Sequence, residues 1–134
     1  MQTNIYLPRA ATILDLRRET AVDWTYRLSW DGDMPQPGQF FEVSVLRVGE
    51  APISASGWGE GWIELTIRNV GRVTGALFAL GVGDTVHLRG PYGRPFPVAE
   101  FRGRETIIAA GGTGLAPVRG LIRQLLRSLG KTEG

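Results

Sequence analysis

The segment Trp24-Thr25-Tyr26-Arg27-Leu28-Ser29-Trp30 carries a large apolar side chain at every second position and a polar one between each pair. Successive side chains of a β-strand point to opposite faces, so this period of two predicts a strand with one buried face. Other alternating or extended segments bring the number of predicted strands to six: Ala11–Arg18, Gln39–Leu46, Pro52–Ser56, Trp62–Arg68 and Asp84–Arg89. This part of the chain therefore predicts an antiparallel β domain.

The composition agrees with a small domain rich in β-structure. The 134 residues are 43% hydrophobic and 21% charged, which is ordinary for a globular protein with a packed core. The 19 glycines and 8 prolines supply the turns that many short strands need. One such turn, with an exposed tryptophan at Trp58, is predicted at Gly57–Gly61.

Charge and cysteine content exclude several classes of protein. A net charge of +2 is too small for a nucleic-acid-binding surface. The absence of cysteine excludes a disulfide framework, a thiolate zinc site and a cysteine-ligated iron–sulfur cluster within this chain, and no cluster of metal ligands is visible in the sequence. Neither a membrane span nor a signal-peptide core is present, so we expect a cytoplasmic protein with neither nucleic acid nor membrane as partner.

Two segments depart from the strand pattern. Val73–Leu80 predicts a short helix capped by Thr74 and ended by Gly81. Near the other end of the chain, the apolar run Thr106–Ala110 predicts a buried parallel strand. It is followed by Gly111-Gly112-Thr113-Gly114 and by an amphipathic helix, Leu115–Leu129, with Arg119 on its outer face and Gly130 as its stop.

This strand–glycine–helix unit predicts a second domain. A helix N-terminus with glycines before it attracts phosphate, although a plain glycine-rich turn is the alternative and Pro117 occupies the third glycine position of the dinucleotide fingerprint. A parallel strand also needs a second strand to pair with after its crossover. We therefore expect residues 1–101 to form a β-barrel and residues 102–134 the first part of an incomplete nucleotide-binding domain.

Five short motifs, taken in their order along the chain, resemble the ferredoxin–NADP reductase superfamily. They are Gly38-Gln39-Phe40, Ala51-Pro52-Ile53-Ser54, Gly71-Arg72-Val73-Thr74, Gly90-Pro91-Tyr92-Gly93 and Gly111-Gly112-Thr113-Gly114-Leu115-Ala116-Pro117. The resemblance covers essentially the whole chain. It points to the branch that contains the B subunit of anaerobic sulfite reductase, the gamma subunit of sulfhydrogenase and the electron-transfer subunit of dihydroorotate dehydrogenase.

The resemblance implies a fold and an activity. The fold is mainly β: a six-stranded antiparallel Greek-key FAD-binding barrel, followed by the first β-strand and α-helix of an incomplete Rossmann-like NAD(P)-binding domain. The activity is that of a FAD-dependent NAD(P)H oxidoreductase that passes electrons to an iron–sulfur partner on another chain or segment. With so little of the second domain, we expect this chain to keep flavin and to lack NAD(P)H oxidation.

The resemblance also implies roles for individual residues. The Arg-x-Tyr-Ser segment that lines the flavin in the family aligns with Ala51-Pro52-Ile53-Ser54. Ser54 would act catalytically by hydrogen bonding to the flavin ring near its reactive nitrogen, because a hydroxyl both donates and accepts. Pro52 and Ile53 would line the ring, with Ile53 supplying an apolar face.

The phosphate groups are expected at two glycine-containing segments. Ala51 occupies the position of the arginine that pairs with the flavin pyrophosphate in the family, and Arg68 or Arg72 would replace that charge. Gly71, Arg72, Val73 and Thr74 resemble the pyrophosphate loop, with a plain helix cap as the alternative. Gly111, Gly112, Thr113 and Gly114 would bind the nicotinamide phosphates.

Two other functions are compatible with the sequence. In the first, Ala51 and Ile53 mark a non-enzymatic barrel that has lost its flavin and docks a partner protein. In the second, the barrel binds oligonucleotides, which requires a basic groove interleaved with aromatic residues. The small net charge, and the fit of the glycine motifs to phosphate loops, favour the flavin hypothesis.

Overall fold

The computed structural model describes residues 7–101, 103–105, 108 and 115–132, with only the backbone described for residues 115 and 128–132. Its strands are β1 (Arg9–Arg18), β2 (Asp23–Ser29), β3 (Phe40–Val45), β4 (Gly49–Gly59), β5 (Trp62–Arg68) and β6 (Thr85–Tyr92). Two α-helices, α1 (Arg72–Phe78) and α2 (Leu115–Thr132), and a 3₁₀ turn at Val98–Phe101 complete these elements.

The six strands form a closed antiparallel barrel in the order β1-β2-β5-β4-β3-β6. Three consecutive strands, β3, β4 and β5, are joined by hairpins, and β6 returns to pair with β3 on the outside of that group. This is the arrangement of a Greek key. The predicted six-stranded antiparallel Greek-key barrel, with a helix after it, is therefore confirmed.

Alternate residues of the strands fill the barrel interior. Tyr26, Leu28, Ile63, Leu65 and Ile67 are all buried, as the period of two in the sequence predicts. Helix α1 covers one end of this core through Leu77, and Phe78 stacks on Trp24 with ring centroids 4.0 Å apart. The apolar alternation of the sequence therefore determines which face of each strand is buried.

Strand β4 is longer than the sequence predicts. The predicted strand covered only Pro52–Ser56, but pairing with β5 continues through Gly57 and Trp58 to Gly59. The register shifts between Ala55 and Gly57, which is the irregularity expected at a β-bulge containing glycine. The predicted turn at Gly57–Gly61 is therefore wrong, and the turn consists of Glu60 and Gly61 alone.

Three other boundaries also differ. Helix α1 spans Arg72–Phe78 rather than Val73–Leu80. Strand β6 continues past Arg89, its predicted end, to Tyr92, which pairs with Phe40. Helix α2 continues beyond Gly130, its predicted stop, to Thr132. A glycine inside a helix costs only about 1 kcal/mol, so it ends one only where the backbone leaves the helical region.

The second predicted domain is described only in part. Helix α2 is present as expected, but Gly111–Gly114 and all of Thr106–Ala110 except Ile108 lie outside the described residues. The division of the chain at residues 101 and 102 therefore stays a prediction. None of the described helices is both long and apolar enough to span a membrane.

Candidate functional site

Ser54, Phe40 and Tyr92 lie side by side on the outer face of the barrel. Phe40 of β3 pairs with Ser54 of β4 on one side and with Tyr92 of β6 on the other. The rings of Phe40 and Tyr92 are tilted at 59° with their centroids 5.8 Å apart. The next residue, Phe41, points into the core and is fully buried, so Phe40 must point outward. The row combines a hydroxyl group with two aromatic rings.

The Ser54 hydroxyl is available for a ligand. It makes no hydrogen bond to any other residue that the structure describes, and it is half-buried beside Phe40. Hydroxyl groups in such positions are usually satisfied by protein, water or ligand. The Ser54 hydroxyl therefore offers a donor and an acceptor to a bound molecule, and its predicted role at the flavin stays a prediction.

Two motifs that are far apart in the sequence meet around Phe40. Gln39 accepts a hydrogen bond from the Gln36 N–H at 2.9 Å and donates one to the Gly93 carbonyl at 2.9 Å. A Cβ atom at position 93, where φ is +94°, would lie 3.1 Å from the Phe40 ring. Only glycine suits that position, because the backbone is left-handed and the ring is close. Gln39 and Gly93 thereby fix the orientation of Phe40.

The structure separates Ile53 from Ser54. Ile53 pairs with Phe41 and packs against the barrel core, on the face opposite to Ser54. Pro52 is exposed and pairs with Glu42. Phe40, rather than Ile53, is the apolar group beside the Ser54 hydroxyl.

Phe40 and Tyr92 were absent from the predicted site residues. Both nevertheless occur in motifs that carried the resemblance, Gly38-Gln39-Phe40 and Gly90-Pro91-Tyr92-Gly93. The sequence signal was therefore present. What the sequence lacked was the pairing of β3 with both β4 and β6, which alone brings the three side chains together.

The start of α1 is organised by Thr74 from within the helix. The Thr74 hydroxyl accepts hydrogen bonds from the N–H groups of Val70 at 3.0 Å and Gly71 at 2.9 Å, and donates one to the Gly71 carbonyl at 3.2 Å. Thr74 is the third residue of α1, so it caps the helix from inside rather than as the residue that precedes it. Its hydroxyl is thus already engaged with the backbone.

Of the two arginines expected to replace the missing charge, only one is unengaged. Arg68 forms a bidentate ion pair with Asp23, with Nε–Oδ1 at 2.9 Å and Nη2–Oδ2 at 3.0 Å. Hydrogen bonding by Arg68 lowers the pKa of Asp23, and Asp23 raises the pKa of Arg68 in return. Arg72 is exposed at the first position of α1 and has no ion pair with another described residue.

Glu50 and Arg89 form a second ion pair on the same outer face, near Tyr92. Arg89 Nε donates to Glu50 Oε2 at 2.8 Å, and this hydrogen bond lowers the pKa of Glu50. The Arg89 guanidinium carbon also lies 5.8 Å from the centre of the Tyr92 ring. Arg89 is therefore neutralised by Glu50 beside the aromatic row.

The donor set fits a ligand that has a planar aromatic ring and a phosphate group. Ser54 offers a hydroxyl and Phe40 an apolar surface, while Arg72 offers a positive charge beside the N–H groups at the start of α1, which a helix leaves without intrahelical acceptors. The expected nicotinamide segment Gly111–Gly114 lies outside the described residues. Among the described residues, no group of three His, Asp or Glu side chains could hold a metal ion.

Curated relatives are found along the whole chain. No protein-family model matches it. It is 44% identical over 103 residues to the sulfhydrogenase 1 gamma subunit of Pyrococcus furiosus, a match that covers 75% of this chain and 32% of that subunit. It is 39% identical over 116 residues to a probable dihydroorotate dehydrogenase B (NAD(+)) electron transfer subunit of Methanopyrus kandleri. That match covers 87% of this chain and 39% of that subunit. The chain thus spans about a third to two fifths of the length of these relatives.

Two reductases are among the solved structures that share this fold. The cytochrome P450 reductase GcoB of Amycolatopsis matches with a TM-score of 0.77 and 29% identity, over 90% of this chain and 40% of that one. The ferredoxin reductase of carbazole 1,9a-dioxygenase matches with a TM-score of 0.76 and 25% identity, over 90% of this chain and 39% of that one. The chain therefore belongs to the ferredoxin–NADP reductase superfamily, with the fold of its FAD-binding barrels and with sulfhydrogenase gamma subunits and dihydroorotate dehydrogenase electron-transfer subunits among its homologues.

Proposed function

We propose that this chain is the FAD-binding part of an electron-transfer reductase, which moves electrons between NAD(P)H and an iron–sulfur partner. The observation that carries the proposal is the row of Ser54, Phe40 and Tyr92 on a barrel of this superfamily. When bound, FAD would supply the redox chemistry by accepting a hydride and releasing single electrons. The protein would supply the position and the electrostatic environment of the ring.

Ser54 is assigned to the reactive edge of the flavin ring. Its hydroxyl can donate a hydrogen bond to an unprotonated ring nitrogen and accept one from a protonated nitrogen. It can therefore serve both the oxidised and the reduced ring without moving. Phe40 beside it would exclude water from that edge, because its ring is half-buried and held by Gly93 and Tyr92.

Arg72 and the N–H groups at the start of α1 are assigned to the flavin phosphates. An exposed guanidinium suits a phosphate because two of its N–H groups can donate to two phosphate oxygens at once. Arg68 is assigned to the barrel instead, because both sides of its guanidinium contact Asp23. Thr74 would act indirectly, by holding the backbone of Gly71 in the conformation from which α1 begins.

An iron–sulfur protein or subunit is proposed as the electron partner, because a ferredoxin reductase is among the solved structures that this chain resembles. Any cysteine-ligated cluster would lie on another chain or segment, since this chain contains no cysteine. The alternative of a flavin-free docking barrel is not favoured, because the homologues are electron-transfer subunits.

The proposal is tested by titrating the purified chain with FAD and recording the visible absorption spectrum. We expect bound flavin bands, with tight binding weakened by Ser54→Ala. Arg72→Gln should weaken FAD binding about 3- to 10-fold, which is the effect of one exposed charge-assisted contact. The matched variant Arg68→Gln should leave FAD affinity unchanged. If the chain binds no FAD even in excess, the proposal is wrong and the docking function takes its place.

A further inference from the structure

Beyond the flavin site, we infer that Glu64 and Arg119 are a positioning pair that holds helix α2 on strand β4 in one register. This inference rests on the proposed function in one respect. Helix α2 begins at Leu115, directly after the segment Gly111–Gly114, which the resemblance to the superfamily assigns to the nicotinamide phosphates. The predicted position of Arg119 on the outer face of the helix is wrong, because its guanidinium group contacts the barrel.

Glu64 is a buried carboxylate whose two oxygens serve different elements. Only 2% of its side chain is exposed. Oε2 accepts hydrogen bonds from Arg17 Nη2 of β1 at 3.0 Å and from Arg27 Nε of β2 at 3.2 Å. Oε1 accepts from Arg119 Nη1 of α2 at 3.2 Å. Arg17 and Arg27 thus hold the carboxylate through Oε2, and Oε1 accepts the hydrogen bond from helix α2.

Two glycines make this contact possible. A Cβ atom at position 57 of β4 would lie 3.0 Å from Glu64 Oε1 and 3.5 Å from Arg119 Nη1. A Cβ atom at position 120 of α2 would lie 2.3 Å from the Trp58 ring, which is impossible without movement. The Trp58 ring therefore lies directly on the helix backbone, and the predicted exposure of Trp58 is wrong.

The ion pair adds a directional contact to the packing of Trp58 on Gly120. The steric contact keeps α2 close to β4, and the Glu64 carboxylate binds a guanidinium group at position 119. Moving α2 by one residue would shift it 1.5 Å and turn it by about 100°, which would carry Arg119 away from Glu64. Arg119 Nη1 also lies 3.4 Å from the Ser56 carbonyl oxygen, so it contacts two points on the barrel.

The same pair links the two halves of the proposed reaction. Ser56 follows Ser54 by two residues in β4, a distance of about 7 Å along the strand. Leu115 precedes Arg119 by four residues, about 6 Å along the helix axis. A helix held at Arg119 therefore begins at a fixed distance from the strand that carries Ser54, which is what hydride transfer between two bound cofactors requires.

The register is tested with spin labels, because the chain contains no native cysteine. Labels at Thr12→Cys on β1 and Gln124→Cys on α2, both exposed positions, report the distance between barrel and helix by pulsed electron resonance. We expect one narrow distance distribution in the parent chain and its loss in Arg119→Gln and in Glu64→Gln. Arg123→Gln, which removes the same charge from an exposed position on the same helix, should keep it. A narrow distribution retained in Arg119→Gln would overturn the inference.

FAD affinity separates the register of α2 from the flavin site. Arg119→Gln should leave the FAD dissociation constant unchanged, because Arg119 contacts Glu64 and the Ser56 carbonyl rather than the row of Ser54, Phe40 and Tyr92. A general loss of structure would instead weaken FAD binding. A loss of FAD affinity together with the narrow distance distribution would overturn the positioning role. Failure of the parent chain to bind FAD would refute the proposed function, while the spin-label result would still decide the register.

Discussion

Tyr26 is the residue whose ionisation should limit the stability of the barrel at high pH. Its side chain is 1% exposed, its hydroxyl donates to the Leu77 carbonyl at 3.1 Å, and burial raises its pKa to about 12. The folded chain therefore holds this proton more tightly than the unfolded chain, whose tyrosine pKa is about 10. The protonated Tyr26 side chain makes its full contribution to the free energy of unfolding below about pH 10. That contribution is lost as the pH rises towards 12. Urea unfolding at a series of pH values should show that decline.

Tyr26→Phe is the control for this prediction. The variant should lose about 1 kcal/mol at neutral pH, because the hydrogen bond to Leu77 is gone. Above about pH 10 the free energy of unfolding of the variant should fall much less steeply than that of the parent. If the variant declines as steeply as the parent, the alkaline sensitivity belongs to other groups.

The sequence predicts the role of a residue when that residue belongs to a recognisable motif. It does not predict the role when that depends on a partner far away in the sequence. Ser54 follows from its motif, and its role at the flavin stays a prediction. Arg68 looked equivalent to Arg72 because Asp23, which binds it, is 45 residues away. Glu64 occupies an outward position of an alternating strand, where a solvated carboxylate is the ordinary expectation. Only the positions of β1, β2 and α2 reveal that it is buried.

At the scale of elements, the first turn of α1 depends on the Thr74 hydroxyl. That hydroxyl accepts from two backbone N–H groups that the helix itself leaves without partners. Thr74→Val, which keeps the shape and removes the hydroxyl, should lower the free energy of unfolding by about 1 kcal/mol. Thr74→Ser should retain most of the stability. Denaturation monitored by tryptophan fluorescence measures both.

The same two variants separate capping from phosphate binding. If Thr74 acts only through the backbone, Thr74→Val should weaken FAD binding no more than its loss of stability explains. A much larger loss of FAD affinity, with stability unchanged, would mean that the hydroxyl contacts the ligand directly. Thr74→Ser should bind FAD like the parent chain in either case.

The sequence predicts elements best where one face is buried throughout. The strand Trp62–Arg68 has the predicted bounds because its apolar residues alternate without interruption. In β4 the alternation of apolar and polar residues stops at Gly57 and Gly59. Considered without their neighbours in the fold, these glycines suggest a turn. They continue the strand because Gly57 accommodates Glu64 and Arg119, a reason that lies in tertiary contacts. Glycine in a strand often marks such a close approach.

For the whole molecule, closure of the barrel is the feature that periodicity cannot predict. The sheet closes where β1 pairs with β6, joining Ala11 to Val86 across most of the described chain. An alternating pattern shows which face of a strand is buried but not which strand lies beside it. The six-stranded antiparallel Greek-key barrel was expected from the resemblance to the superfamily, which implies a topology that single segments do not.

Two ion pairs that join different strands should make the closed barrel sensitive to acid. Arg68 of β5 binds Asp23 of β2, and Arg89 of β6 binds Glu50 of β4. Hydrogen bonding by the arginines lowers the pKa of both carboxyl groups. Because their pKa values are lower in the folded chain, each pair contributes stability above the pKa of the unfolded carboxyl, about 4, and loses it as the pH falls further.

The free energy of unfolding should therefore be constant from neutral pH to about pH 5 and should decline below about pH 4. Asp23→Asn and Glu50→Gln should each make that decline shallower, and their effects should add because the pairs share no residue. Both variants lose stability mainly at neutral pH and little at low pH, where the parent carboxyls are already protonated. Urea unfolding at several pH values, followed by tryptophan fluorescence, measures the slopes. If the double variant keeps the full acid dependence, these two strand-to-strand contacts do not control it, and other carboxyl groups must be responsible.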